Sequence, residues 1–436
     1  MMRRLDTSAM GVDGVVQALD RAPESVDAEI HQRVGEIVAA VREKGDAALV
    51  ELTARFDRVT LAPRDLAVTP AEYEAAERQV GTRTVEALRY AAARIDRFHR
   101  AAMPRSWSMT DGNGSVVGQE IRPLDRVGIY VPGGRAAYPS TVLMTAVPAR
   151  VAGVRDIVLV SPPAADRSLN PAVLVAARIA GVTEAYRVGG AQAVAALAYG
   201  TETIRRVDKL VGPGNIYVAL AKGRVFGDVG IDMLAGPSEV VVIADGDADP
   251  VWVAADLLAQ AEHDPMARAV LLTPSRALRD RVEAETARQL ATLSRREIAA
   301  SALRTNGALV LTATLEEAVE VANRLAPEHL ELVVSDPDTL LVRVKNAGAV
   351  FLGGFTPEVV GDYVAGPNHV LPTGGTARFS SALGTGDFVK RLSVIRYSTK
   401  GLAEAWPHLA ELARVEGLDA HGAAARVRIT STGGGA

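Results

Sequence analysis

Apolar residues recur at three- and four-residue spacing through the first hundred residues of the chain. In residues 26–56 and 70–98 charged residues separate these apolar positions, which is the pattern of helices with one buried face. We therefore predict that residues 8–102 are helical. The glycine-rich residues 111–114 interrupt the pattern, and their types favour a hairpin turn.

From residue 126 to residue 352, short runs rich in β-branched residues alternate with helical patterns such as 140–151, 171–180 and 250–262. The candidate strands are residues 127–131, 157–161, 185–188, 209–211, 239–244, 269–273, 308–311, 331–334 and 349–352. This alternation predicts parallel sheets covered by helices on both faces. The number of strands suits two smaller sheets better than one, with a joint near Gly236-Pro237-Ser238. Residues 402–428 are expected to form a small helical and extended appendage, and residues 430–436 a flexible tail.

Length and composition narrow the class of protein. A chain of 436 residues is long for one core, and its 48% hydrophobic and 23% charged residues are typical of a globular protein. A net charge of -4 gives no electrostatic sign of nucleic-acid binding. No apolar run approaches the ~18 residues of a membrane span, and the charged N-terminus is not followed by the apolar stretch of a secretory signal. We expect a cytoplasmic protein that binds neither nucleic acid nor membrane.

Cysteine is absent from the chain. Disulfides, thiol nucleophiles and cysteine-bound zinc are therefore excluded, and a metal must be held by His, Asp, Glu or amide oxygen.

Three candidate strands run into glycine and then into a helical pattern, at residues 131–134, 188–190 and 211–215. Glycine allows a ligand to approach the backbone, and a helix N-terminus offers free N–H groups to anions, so these junctions are compatible with nucleotide binding. Steric demand in strand–helix turns explains such glycines equally well. The chain contains no complete G-x-G-x-x-G fingerprint, so a nicotinamide cofactor would bind in an atypical way.

Histidines in acidic surroundings suggest a metal site. Gln260 and His263 are three residues apart in a helical pattern and project from one face, and Asp362 and His421 are the best further candidates. The alternative is that His263 only caps its helix before Asp264-Pro265. Glutamine is also a poor zinc ligand by general rules. Of the other histidines, His31 and His99 are expected on the surface and His408 in an ordinary helical stretch.

Glu328 and His329 are neighbours after Pro327, and together they have the residue types of an acid/base pair. Adjacent residues in an extended segment point to opposite sides, so a turn at the proline would be needed to present both to one pocket. The alternative is a helix-end carboxylate followed by a partly exposed histidine.

Taken together, these segments resemble the histidinol dehydrogenase family over nearly the whole chain. The motifs that carry the resemblance are Arg126-Val-Gly-Ile-Tyr-Val-Pro-Gly-Gly134, Gly189-Gly-Ala-Gln192, Val211-Gly-Pro-Gly-Asn215, Asp232-Met-Leu-Ala-Gly-Pro-Ser238-Glu239, Gln260-Ala-Glu-His263, Pro327-Glu328-His329, Gly361-Asp362 and Gly366-Pro-Asn-His369.

The resemblance implies an NAD-dependent, four-electron oxidation of L-histidinol to L-histidine by way of L-histidinal, the last step of histidine biosynthesis. It implies one zinc ion per subunit, held by Gln260, His263, Asp362 and His421, which positions the substrate. His329 would take the alcohol proton, and Glu328 would activate water for the second oxidation. The implied substrate contacts are Ser238, Gln260, His263, His329, Asp362, His369, Glu416 and His421. The implied cofactor contacts are Tyr130, Gln192 and Asn215.

The resemblance also implies an α/β fold of two incomplete Rossmann-like domains, one inserted in the other, with a helical N-terminal segment and a small C-terminal appendage. The expected bounds are 1–25 for the N-terminal segment, 26–130 with 239–383 for the first domain, which carries the zinc and catalytic residues, 131–238 for the inserted domain and 384–436 for the C-terminal segment. Members of the family are homodimers, and the C-terminal segment would bring Glu416 and His421 to the neighbouring subunit.

Two rival functions remain compatible with parts of this pattern. A related dehydrogenase of another amino or sulfonated alcohol would share the redox machinery but differ in substrate contacts. A zinc hydrolase with Glu328 as the base would explain the ligands but not the glycine junctions, and no H-E-x-x-H motif is present. A non-catalytic binding protein explains neither set of residues.

Overall fold

The computed structural model describes residues 2–20, 28–133 and 137–432. Its strands are β1 (Arg3–Asp6), β2 (Trp107–Thr110), β3 (Val116–Pro123), β4 (Arg126–Tyr130), β5 (Asp156–Val160), β6 (Glu184–Tyr186), β7 (Lys209–Val211), β8 (Gly230–Ile231), β9 (Glu239–Ala244), β10 (Arg268–Thr273), β11 (Ala308–Leu311), β12 (His329–Val333), β13 (Ala349–Leu352) and β14 (Val389–Arg396).

Its α-helices are α1 (Thr7–Leu19), α2 (Ala28–Lys44), α3 (Asp46–Phe56), α4 (Pro70–Gln79), α5 (Thr82–Ala101), α6 (Pro139–Ala152), α7 (Pro171–Ala180), α8 (Gly190–Tyr199), α9 (Ile216–Val225), α10 (Pro250–Ala261), α11 (Arg276–Leu290), α12 (Arg296–Asn306), α13 (Leu315–Leu325), α14 (Pro337–Leu341), α15 (Glu358–Tyr363), α16 (Thr399–Glu416) and α17 (Asp419–Thr432). None of the helices in the described part of the chain combines the length and the apolar character that crossing a membrane would require.

Two parallel sheets share one strand order. Over the described residues, one sheet runs β6-β5-β4-β7-β8 and the other β1-β11-β10-β9-β12-β13. Apart from β1, the first strand of each sheet along the chain (β4 or β9) has its next two strands on one side and the following two on the other, which is the Rossmann order. The six-stranded sheet adds β1 at its edge. The five-stranded sheet lies in the chain between β1 and β9, so the predicted insertion of one Rossmann-like domain in the other is confirmed.

Both sheets are apolar on both faces because helices cover them. In the six-stranded sheet, Val240 and Val242 pack in one apolar cluster while Val241 and Ile243 pack in another, as alternating side chains of a doubly covered strand must. Every residue of β9 and β10 is buried. The prediction of these strands from continuous runs of β-branched residues, rather than from alternating apolar and polar residues, is therefore confirmed.

The predicted bounds of the first domain are wrong in two places. β4 belongs to the five-stranded sheet. Helices α2 and α3 also pack there: Val34 and Leu49 share a core cluster with Val194 of α8 and Val218 of α9. An amphipathic helix shows in its sequence that one face is buried but not which sheet covers it. Residues 236–238 lie between the two sheets, because β8 ends at Ile231 and β9 begins at Glu239.

The chain ends also differ from expectation. Residues 3–6 form β1, which pairs in parallel with β11 through Arg3 and Ala308, so the N-terminal segment is not purely helical. Helix α17 extends to Thr432 where a tail from residue 430 was expected. Residues 21–27, Gly134 of the first glycine junction and residues 433–436 lie outside the described residues.

Residues 103–123 and 389–436 form a second compact unit. The predicted turn at 111–114 joins β2 to β3, and Asp111 N–H donates to the carbonyl of Ser115 (2.8 Å). Strand β14 pairs antiparallel with β3, and α16 and α17 follow it. The C-terminal segment therefore begins near Val389 rather than at residue 384, and it completes a unit with an earlier hairpin that its own sequence does not reveal.

Candidate active site

Glu328 and His329 lie at the start of β12, beside the first residue of β9. Ala326 ends helix α13 in the left-handed conformation (φ 48°), and Pro327 leads into the strand. The Glu328 carboxylate accepts the N–H of Glu239 (2.9 Å), and His329 Nδ1 lies 3.1 Å from the carbonyl oxygen of Glu239. The structure thus brings both side chains to one peptide segment, with His329 Nδ1 3.8 Å from a Glu328 oxygen.

The hydrogen bond to Glu239 determines the tautomer of His329. A carbonyl oxygen can only accept, so Nδ1 carries the proton and Nε2 keeps its lone pair. Burial lowers the pKa of His329 to about 3, which keeps the ring neutral. The ring lines a cavity of about 680 Å³ together with Asp362, Asn368 and His369. The arrangement presents a neutral imidazole that can accept a proton at Nε2.

His263, Glu358 and Asp362 form a group of potential metal ligands. One ligand atom of each lies within 4.8 Å of the others. His263 follows the end of α10, while Glu358 and Asp362 are four residues apart on α15 and therefore share a face. Glu358 was not among the predicted site residues, although its position four residues before Asp362 could have indicated a second carboxylate on the same helix face. The backbone N–H of His263 donates to the carbonyl of Gln260 at the end of α10 (3.3 Å). The helix end is therefore capped by the backbone of His263 and not by its ring.

The amide of Gln260 adjoins this group from the buried side. Gln260 is fully buried, and its amide nitrogen faces Glu358 Oε1 (3.2 Å), the carbonyl of Glu239 (3.3 Å) and His329 Nδ1 (3.3 Å). With Nδ1 protonated, the two amide hydrogens are donated to the two oxygens. The side chain therefore links the metal-ligand group to the backbone that holds the acid/base pair.

Buried carboxyl groups are concentrated behind these residues. Burial, followed by repulsion from Asp362 and Glu331, raises the pKa of Glu358 well above its usual range. Burial also raises the pKa of Glu328 well above its usual range and that of Asp362 to about 6. A divalent cation would relieve this repulsion. Imidazole, carboxylate and amide groups without thiolates match the ligand types that zinc accepts, so the residues fit the expected metal.

The half-buried Asp256 and the buried Glu331 form a further carboxyl pair, and Glu331 holds the backbone at the start of α15. A Glu331 oxygen accepts the N–H of Glu358 (2.8 Å) at the start of α15. Burial raises the pKa of Glu331 well above its usual range and that of Asp256 to about 6. The pair therefore favours a shared proton over two negative charges.

We expect the metal-free protein to lose stability as the pH rises through the folded-state pKa values of this pair. A raised folded-state pKa favours the protonated form, so the stabilisation is complete below the unfolded value of about 4.3 and is lost at higher pH. The Tm of the metal-free wild-type protein should fall between about pH 5.5 and pH 8.5. In the Glu331→Gln variant this fall should be smaller by about 5 °C. Calorimetry after chelator treatment would measure it. The exposed Glu74→Gln variant should keep the wild-type slope; an equal slope for Glu331→Gln would contradict the assignment.

His369 connects the site to helix α6, which follows strand β4 of the five-stranded sheet. Its Nδ1 donates to the carbonyl of Asp362 (2.9 Å), and its Nε2 lies 3.4 Å from the hydroxyl of Thr141 on α6. The neighbouring Asn368 donates to the carbonyl of Met144 on the same helix (2.6 Å). Ser238 directly precedes β9, and its side chain partly offsets the rise in the pKa of Glu328 that burial causes.

The predicted cofactor residues follow three strands of the five-stranded sheet at their carboxyl ends. Tyr130 ends β4, Gln192 lies in the first turn of α8 after β6, and Asn215 follows β7. β4 and β7 are adjacent and lie where the chain order reverses, which is the position at which open α/β sheets bind ligands. The Tyr130 hydroxyl accepts the N–H of Gly190 (3.0 Å), and the Asn215 side chain caps α9 by accepting the N–H of Tyr217 (3.1 Å).

The junction glycines have steric reasons of their own. A Cβ at Gly189 would lie 2.3 Å from Pro162, one at Gly212 2.2 Å from the carbonyl of Tyr130, and one at Gly214 2.4 Å from Val218. Close packing therefore explains the glycines, and only the position of these loops at the reversal of strand order is typical of a ligand site.

Glu416 and His421 lie in the second compact unit. Glu416 ends α16, Gly417 turns the chain in the left-handed conformation (φ 68°), and His421 lies in the first turn of α17. Both residues are exposed in the single chain, at the turn of a helical hairpin.

His99 differs from expectation because it is buried. Its side chain is 1% exposed, burial lowers its pKa to about 4, and neither ring nitrogen has a hydrogen-bond partner among the described residues. It lines the same cavity as His329. His31 is exposed, as expected, and His408 lies in helix α16, as expected.

The chain is similar to known proteins of one family over most of its length. The family model described as histidinol dehydrogenase matches residues 20–429. The chain is 56% identical over 412 residues to the histidinol dehydrogenase of Geobacillus kaustophilus (strain HTA426), covering 94% of this chain and 97% of that one. It is 51% identical over 429 residues to that of Geobacter sulfurreducens (strain ATCC 51573 / DSM 12127 / PCA), covering 98% and 100%.

Among solved structures, the crystal structure of histidinol dehydrogenase from Elizabethkingia anophelis superposes with a TM-score of 0.94 at 36% identity and covers 99% of both chains. The match of the family model and the relatives spans both Rossmann-like sheets and the second unit. The chain therefore belongs to the histidinol dehydrogenase family.

Proposed function

We propose that this protein oxidises L-histidinol to L-histidine in two NAD-dependent steps, with a zinc ion that positions the substrate. The observation that carries the proposal is the joint placement of a neutral His329, a buried Glu328 and the ligand group of His263, Glu358 and Asp362 around one segment of β9. Family membership supports an oxidoreductase acting on histidinol in histidine biosynthesis.

Zinc, when bound, would coordinate the imidazole and amino nitrogens of histidinol, and NAD would supply the hydride acceptor. Gln260, His263 and Asp362 are the ligands proposed from this subunit, with His421 as the fourth. Glu358 lies close enough to share this role or to hold the Gln260 amide.

The chain's own residues account for the proton movements. In the first oxidation, His329 Nε2 accepts the hydroxyl proton while the carbon gives up a hydride, which yields the aldehyde. In the second, Glu328 accepts a proton from the water whose oxygen adds to the aldehyde carbon, and the carbonyl oxygen takes the proton held by His329. His329 then accepts a hydroxyl proton of the hydrate while the carbon gives up the second hydride, which yields the acid. The overall reaction uses one water and two NAD and releases two NADH and, with the acid ionised, three protons. Burial of both groups excludes bulk water and strengthens their interactions with the substrate.

We further propose a homodimer in which the helical hairpin of one subunit brings Glu416 and His421 to the site of the other. The second unit exposes large apolar side chains, including Ile395 (71% exposed), Leu412 (64%) and Val415 (68%). Apolar groups exposed together on one unit are typical of an interaction surface.

The test of the proposed function is the yield of NADH from purified protein, NAD and L-histidinol before and after chelator treatment. We expect two NADH per histidinol, loss of activity with the chelator and recovery with zinc. No NADH from histidinol, but NADH from another amino or sulfonated alcohol, would favour a related dehydrogenase. Hydrolysis of an ester or amide without NAD would favour a zinc hydrolase.

A further inference from the structure

Lys222 and Asp232 form an almost fully buried ion pair beside the proposed cofactor crevice. Lys222 lies on α9, and Asp232 directly follows β8. The lysine side chain is 3% exposed and the aspartate side chain 1%, and the two charged groups are in contact. Neither residue belongs to the sites described above.

Both members of the pair bind the same residue, Gly212. The Gly212 N–H donates to Asp232 Oδ2 (2.8 Å), and Lys222 Nζ donates to the Gly212 carbonyl (3.0 Å). Gly212 is the first residue after β7, where the ladder of the sheet has ended. The ion pair therefore takes over the hydrogen bonding of the backbone at the start of the loop that leads to Asn215.

The loop from Gly212 to Asn215 begins very close to the backbone of Tyr130. Gly212 has a φ of 114°, and a Cβ at this position would lie 2.2 Å from the carbonyl of Tyr130. Tyr130 in turn accepts the N–H of Gly190. The loops after β4, β6 and β7 are thus connected through Tyr130 and Gly212.

Simple stabilisation does not explain a buried ion pair at this place. Desolvation of two charges offsets most of their attraction, and apolar residues of similar size often serve stability equally well. An apolar pair cannot, however, hold both the N–H and the carbonyl of Gly212. The contacts indicate a geometric role at the junction with the crevice.

We propose that Lys222 and Asp232 are positioning residues for the dinucleotide, acting by holding Gly212 and hence the loop to Asn215 beside Tyr130. This inference rests on the proposed use of NAD. Asp232 also begins the segment that reaches Ser238 and strand β9, so the ion pair lies where the chain passes from the five-stranded sheet to the six-stranded sheet.

The test variant is Lys222→Met combined with Asp232→Asn, which removes both charges together and leaves no buried charge without its partner. Asp232→Asn alone is the second variant, because its shape is nearly unchanged and its oxygen can still accept the Gly212 N–H. The matched control is Glu184→Gln, since Arg126 and Glu184 form an ion pair at the opposite, amino-terminal edge of the same sheet.

The measurements are the Kd for NADH by calorimetric titration and the separate KM values for NAD and histidinol. We expect the test variants to bind NADH about tenfold more weakly and to show a similar rise in KM for NAD, as a misplaced hydrogen-bonding loop would cause. The KM for histidinol and the metal content should stay within about twofold of wild type. The control should change Tm but not the Kd for NADH.

A folded test variant whose Kd for NADH matches that of wild type would overturn the positioning role while leaving the proposed function intact. Equal rises in both KM values would overturn it as well, because they would indicate a general structural effect. If the wild-type protein neither binds NADH nor reduces NAD, the proposed function fails, and this inference fails with it.

Discussion

Glu328→Gln is expected to slow the oxidation of histidinal by about 10²- to 10⁴-fold, the usual contribution of a general base. Oxidation of histidinol to the aldehyde should change by less than about tenfold, because only the second oxidation needs an activated water. The glutamine oxygen can still accept the Glu239 N–H that Glu328 accepts now, so the side chain should keep its place. The substitution therefore removes the proton acceptor and little else.

The two half-reactions are separated by supplying histidinal directly and by following single turnover with histidinol. The NADH yield per histidinol should fall from two towards one on the time scale of the first step. His329→Gln is the contrasting variant, because a hydroxyl proton leaves in both oxidations and both should slow. Equal slowing of the two steps by Glu328→Gln would rule out the proposed role for Glu328.

His421→Ala is expected to weaken metal binding by more than about 100-fold and to abolish activity at ordinary metal concentrations, since even residues that only orient a ligand contribute about 10- to 100-fold. Metal content after dialysis and activity at increasing zinc concentration measure the effect. His408→Ala is the matched control, because His408 is an exposed histidine on α16, the preceding helix of the same unit. Unchanged metal content in His421→Ala would exclude this residue as a ligand.

A mixture of two inactive variants tests whether His421 acts in the neighbouring subunit. Consider a mixed dimer of one His421→Ala subunit and one His329→Gln subunit. If each subunit provides residue 421 to the site of the other, one site has both wild-type residues and the other site has both substitutions. Random reassortment should then restore about a quarter of the wild-type activity, as the symmetry of a two-fold dimer requires. If His421 served its own subunit, every site would keep one lesion and the mixture would stay inactive.

Much of the fold could be predicted because parallel sheets covered on both faces need continuous apolar strands. The runs at 239–244 and 269–273 correspond to β9 and β10 within a residue, and the helical pattern at 171–180 corresponds to α7. The short strand β1 was missed because four residues, two of them arginine, show neither alternation nor an apolar run. The allocation of α2 and α3 was wrong because a buried helical face is compatible with either sheet.

The geometry of the acid/base pair could not be predicted from the local sequence. Adjacency of Glu328 and His329 left open whether both could serve one pocket. Their shared partner is Glu239, which is 90 positions away from His329 and meets it only because β9 and β12 are adjacent strands. The same holds for the tautomer of His329, which depends on a carbonyl that the tertiary fold supplies.

By itself the sequence determined the α/β class, the order of strands β4 to β7 and β9 to β13 with helices between them, the absence of thiol chemistry and the residue types available for metal and proton transfer. These follow from periodicity and composition, which act over a few residues. Only the tertiary structure decided that Glu358 joins His263 and Asp362, that His99 is buried, and that Lys222 and Asp232 converge on Gly212. Such contacts join distant segments, and their formation depends on how sheets and helices pack.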